Sequence, residues 1–144
     1  MQSAPMRGFL GFVAAAISVL IFHQGMWALL YAAGSMPRPP YPTNPIPPFG
    51  VPLIVDLCFW GGLYGVVFGL LRPRFTAPLW LCGLIMGIIA ALVGMFIVAP
   101  IKGLPIANGW VISAIVRSLL INGAWGLGVG LILPLLHPRV PHRA

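Results

Sequence analysis

Asp56 is the one Asp or Glu in 144 residues, and it stands inside an apolar run, "VPLIVDLCFWGGLYGVVFGLL", residues 51–71. A carboxylate in such surroundings must meet a cation or give up its charge. An unpaired charge in lipid costs from a few to more than ~10 kcal/mol. The expected partner is Arg117, which falls at a matching height in a later apolar run. His23 and Gln24 lie near the middle of the first apolar run, and Asn122 lies near the middle of the last. Polar side chains at such depth commonly hydrogen-bond between helices. They could equally form a relay, with His23 and Asn122 below Asp56 and Arg117 and histidine as the titrating group. His23, Trp27 and Tyr31 recur at i, i+4 and i+8, which places His23 on an aromatic stripe.

Other chemistry fails on the residues present. One carboxylate excludes paired-acid catalysis. Cys58 and Cys82 belong near opposite ends of the apolar runs, too far apart to bridge within one chain. His23 is the one histidine within an apolar run, so a bis-histidine haem site inside a single chain is excluded. A haem site shared between chains stays open. Ser18, Ser113 and Ser118 have no base beside them and are expected to bond to helix backbone. No catalytic residue, metal site or resident cofactor is expected.

These residues must be positioned by membrane-spanning helices. Hydrophobic residues make up 60% of the chain and charged residues 6%, against about a quarter charged in soluble domains. Lipid is therefore the expected solvent and partner. The eight Lys and Arg are scattered, which argues against nucleic acid. Four runs are long enough to cross a bilayer, at roughly 20 residues each: Phe9–Ser35, Leu53–Leu71, Pro78–Ala99 and Trp110–Leu136. The apolar part of the first far exceeds the core of a cleaved leader, so it is expected to remain as a helix. Arg7, Arg72, Arg74, Arg139 and Arg143 flank one side, and Arg38 and Lys102 flank the other. The positive-inside rule then puts both termini in the cytoplasm.

The second and fourth runs align. "GGLYGVVFGLL" (61–71) matches "NGAWGLGVGLI" (122–132), with Tyr64 on Trp125 and Asp56 on Arg117. The first and third agree through "GFVAAA" and "GIIAAL". The expected fold is all-α, with four transmembrane helices in two repeated hairpins, about 9–74 and about 79–139. Gly61, Gly65 and Gly69 form a small-residue seam, as do Gly83 and Gly87 with Ala91, and Gly126 with Gly130; such seams let helices touch backbone to backbone. Asp56 and Arg117 lie nearly opposite these seams, so the charged faces turn either toward each other or toward another subunit.

The outer loop 36–52 is proline-rich and reads as a stiff irregular strap. It is either a tether or a partner-contact surface with Arg38, Tyr41 and Phe49 exposed. In the second outer loop, "APIKGLPIANGW", Lys102 is expected to be solvated. "GFVAAAIS", "MPRPPYP" and "APIKGLPIANGW" together resemble small four-span bacterial inner-membrane proteins of the YagU-like kind. The resemblance implies a bacterial plasma membrane and assigns no functional residue. The leading functional expectation is a non-enzymatic membrane subunit, packed as a homo-oligomer or within a larger membrane complex. The alternative is a small transporter or channel with a polar path at Asp56, Arg117, His23 and Asn122.

Overall fold

A computed structural model describes residues 2–137. Arg139 and Arg143, and the end of the second predicted repeat, lie outside the described residues. Four helices are long and apolar enough to cross a membrane: α1 (Ala4–Ala32), α2 (Leu53–Arg74), α3 (Leu79–Ile101) and α4 (Ile112–Leu136). A two-residue hairpin, β1 (Pro45–Ile46) against β2 (Val51–Pro52), sits in the strap.

Local chemistry sets the ends, and some differ from expectation. Helix α1 starts at Ala4 because Ser3 Oγ accepts from Met6 N–H and Pro5 occupies the first turn, a good start signal. It stops at Ala32, short of Ser35. There Gly34 takes φ +75, and the Ser35 N–H returns to the Leu30 carbonyl, as in a Schellman stop. Helix α4 starts after Trp110, which is left-handed at φ +58. Helix α2 has Pro52 before it and no side-chain cap. Strap carbonyls fill that role, with Leu53 N–H on Asn44 O and Ile54 N–H on Pro42 O.

The helices pack in the order α2, α1, α4, α3. In the first hairpin, a β-carbon at Gly11 would overlap the Gly65 carbonyl, and one at Gly69 would overlap the Arg7 carbonyl. In the second, Gly83 meets Gly126 and Gly87 meets the Asn122 backbone in the same way. Gly61 differs from its predicted seam partners. It faces Val19 and the Trp125 ring, toward the other hairpin.

The hairpins are joined through α1 and α4. Ser18 Oγ donates to the Trp125 carbonyl at 2.6 Å, and Trp125 Nε1 donates to the Ala15 carbonyl at 3.1 Å. Ser18 thus bonds to helix backbone, but on a neighbouring helix. The Ser18 hydroxyl and the Phe22 ring fill the space where a side chain at Gly128 would stand. Ala14, Ala15, Val19, Trp125, Val129 and Leu133 complete this buried core.

Replacing Gly65 or Gly126 with Val should force its hairpin apart. We expect a cost of at least ~3 kcal/mol, the upper end for overpacking, because the obstacle is backbone. Gly25→Ala, at a helical glycine with nothing within 4 Å of the added methyl, should be neutral or stabilise by up to ~1 kcal/mol. Thermal unfolding in detergent micelles measures both. Equal effects would contradict the backbone crossing.

Candidate functional site

Helices α2 and α3 stand at opposite ends of the row and leave a cleft of about 680 Å³ between the hairpins. All four helices line it: Val19 and His23 from α1, Asp56, Trp60, Gly61 and Tyr64 from α2, Ala90, Val93, Gly94 and Val98 from α3, and Asn122 and Trp125 from α4. Lys102, one residue past α3, completes the wall. Tyr64 and Trp125, the pair matched in the sequence alignment, touch each other edge to face with centroids 5.9 Å apart.

Two π-turns face this cleft, Val19–His23 in α1 and Gly94–Val98 in α3. Such widened turns recur at functional sites. The one in α3 directly precedes Pro100, whose ring has no N–H and would crowd the carbonyl four residues back. The one in α1 has another consequence. Gln24 N–H bonds to the Val19 and Ile21 carbonyls and bypasses Leu20. The Leu20 carbonyl instead accepts from Tyr41 Oη–H at 2.7 Å.

Tyr41 thereby ties the strap down onto α1. Its backbone N–H donates to Gln24 Oε1 at 2.6 Å, and Trp27 Nε1 donates to the Arg38 carbonyl at 2.9 Å. Arg38 and Tyr41, expected as contact residues, stay exposed, while the Arg38 carbonyl and the Tyr41 hydroxyl and N–H are held by α1. Tyr41 takes φ +57 to do so, a conformation rare for a bulky residue. Phe49, at the hairpin tip, is 87% exposed.

The polar residues expected to meet do not pair as predicted. Asp56 and Arg117 each stand nine residues before the glycine at their helix crossing, Gly65 and Gly126. Among the described residues they form no ion pair. Asp56 Oδ1 accepts from Trp60 Nε1 at 3.1 Å, on its own helix. Helices α2 and α4 are not a close backbone pair, and they touch through the Tyr64 and Trp125 rings, eight residues along from Asp56 and Arg117. Arg117 also sits about 140° round α4 from the cleft-lining Asn122. Lys102, expected to be solvated, is exposed, and it is the cation that shares the cleft wall with Asp56.

The His23–Asn122 relay is absent as well. Asn122 Nδ2 donates to Ser118 O at 3.0 Å, and His23 Nδ1 meets Gln24 Nε2 at 3.0 Å. His23, Asp56 and Asn122 are nevertheless gathered on one cleft, as the polar-path expectation required, while Arg117 is not. Lys102, Trp60, Tyr64, Trp125 and Gly94 were missed as site residues. The Tyr64–Trp125 match was the one signal of them in the sequence.

Gln24→Leu should release the strap, since it removes the acceptor for the Tyr41 N–H. Hydrogen exchange at that amide should rise by roughly tenfold, the equivalent of ~1.4 kcal/mol for one lost hydrogen bond. Unchanged exchange would show that Gln24 does not hold the strap.

No protein-family model, no curated protein and no solved structure matches this chain.

Proposed function

We propose that this chain is a non-enzymatic, multi-pass membrane protein that takes one membrane-soluble small molecule into the cleft between its hairpins, as a small transporter or carrier does. The carrying observation is the cleft itself. It gathers His23, Asp56, Asn122 and Lys102 among aromatic and aliphatic walls, and ligand sites favour a few convergent polar groups in an apolar pocket of this size.

Several features support the rest of the proposal. Arg7, Arg72 and Arg74 at one end of the helices favour cytoplasmic termini. The YagU-like resemblance favours a bacterial plasma membrane. The two seams favour a duplicated hairpin, with Gly11 crossing Gly65 and Gly69 as Gly83 crosses Gly126 and Gly130. That correspondence is one helical turn away from the "GFVAAA"–"GIIAAL" alignment, which puts Gly11 on Gly87.

One observation favours a second role, as a subunit of a homo-oligomer or larger membrane complex. Arg117, partly exposed on α4, has no hydrogen bond or ion pair among the described residues. Its partner would then come from a second copy, another subunit or a lipid phosphate.

Gly94 offers a clean test, since a side chain there would enter the cleft and meet no heavy atom within 4 Å of its β-carbon. Protein purified in mild detergent should carry close to one co-purified amphiphile per chain, detected by mass spectrometry of an organic extract. Gly94→Leu should reduce that content by roughly tenfold or more and leave the melting temperature within a few degrees. Equal content in both proteins would end the cleft proposal. A stoichiometric protein partner with an empty cleft would favour the subunit role.

A further inference from the structure

We infer that the cleft presents His23 Nε2–H as a fixed hydrogen-bond donor, and so selects a neutral amphiphile that carries a carbonyl oxygen. The inference rests on the cleft-binding role proposed above and adds the chemical class of the ligand.

The donor is fixed from the strap inward. Tyr41 N–H is a backbone amide and can only donate. It meets one end of the Gln24 side chain at 2.6 Å, so that end is the oxygen. The other end is therefore the NH2 group, which also can only donate. It faces His23 Nδ1 at 3.0 Å. Nδ1 must then hold its lone pair, and a neutral imidazole with a bare Nδ1 carries its proton on Nε2. Gln24 is 0% exposed, so water does not compete for either bond.

Nε2 is free to serve the cleft. His23 is 8% exposed and lines the cleft wall. Nε2 makes no hydrogen bond among the described residues. The sealed side-chain nitrogen without a partner is Arg7 Nε, far along α1, so Nε2 opens to the cleft. A metal at Nε2 would need the lone pair there and the proton on Nδ1, against the Gln24 NH2. The relay therefore works against haem or metal ligation by His23.

Charge in the cleft lining argues for a neutral ligand. Asp56 is already engaged by Trp60 Nε1, and Lys102 shares the same cleft. One carboxylate and one ammonium leave these charged groups with no net charge, so they favour neither a cation nor an anion. Leu57, Tyr64 and Trp125 supply the apolar wall for the body of the ligand.

The test has two arms. Nitrogen NMR of 15N-histidine-labelled wild-type protein in micelles, with His23→Phe to assign the signal, reads the tautomer without the ligand. A single Nε2–H form at His23 is expected, and Gln24→Leu should give a mixture. A wild-type Nδ1–H form overturns the relay. In the second arm, the protein is titrated with a decyl-tailed benzoquinone and with decyltrimethylammonium, followed by tryptophan fluorescence. The quinone should bind saturably, with roughly tenfold weaker binding in His23→Phe, and the ammonium should not saturate. Preference for the ammonium, or quinone binding indifferent to His23→Phe, overturns the ligand class. Failure of both probes, with a co-purified molecule still present, also overturns it. A cleft empty of any molecule removes the binding role itself, and the tautomer still reports on the relay.

Discussion

Contact between helix backbones at glycine is the constraint on which the molecule depends. Lipid is as apolar as leucine, so apolar side chains gain little by leaving it, and helices associate through close packing and hydrogen bonds. At Gly11 against Gly65, and Gly83 against Gly126, nothing larger than hydrogen fits. Each hairpin is therefore held in one register along its length. That register sets where the two hairpins can meet. They meet at Ser18 and Trp125, where each residue's side chain bonds to a carbonyl on the other helix.

Backbone carbonyls are the common currency of the polar side chains. Ser18, Tyr41, Trp27, Trp125 and Asn122 all donate to main-chain oxygens. A buried donor left unpaired loses more than a made hydrogen bond returns, and a helix offers oxygens at every residue. A π-turn offers more, since it leaves a carbonyl without its usual amide, as at Leu20. Asn122, expected to meet His23, thus found backbone first, while Asp56 found a side chain on its own helix. Asn122 bonds within its own helix, and Trp60 reaches Asp56 one turn away.

Much of this was legible in the sequence, and the rest was hidden for identifiable reasons. Length and apolarity gave four helices, and the spacing of Gly65, Gly69, Gly83, Gly87, Gly126 and Gly130 gave the crossing faces. Periodicity also set Asp56 and Arg117 at equal distances from their glycine crossings. It could not give the neighbour of each helix, and α2 packs its backbone closely on α1 rather than on α4. The π-turn in α1 has no proline to announce it. The strap was correctly non-helical, but its return onto α1 depends on a left-handed Tyr41. Nothing in a run of prolines specifies that conformation. The early start of α1 was readable from Ser3 and Pro5, a capping signal outweighed by the apolar run that begins at Phe9.

The leftover hydrogen-bonding capacity is unevenly placed. Along the hairpin seams and between α1 and α4, donors are spent on carbonyls. Facing the cleft, His23 Nε2, the Asn122 side-chain oxygen and the Lys102 ammonium make no hydrogen bond among the described residues, and Asp56 has a single indole for company. Gly61 admits Val19 and Trp125 closely at one wall. At Gly94 a β-carbon would meet nothing within 4 Å, so close packing does not demand a glycine there. Open volume beside unspent polar groups, in a protein that meets backbone to backbone elsewhere, is an arrangement that costs stability. A bound molecule would recover it.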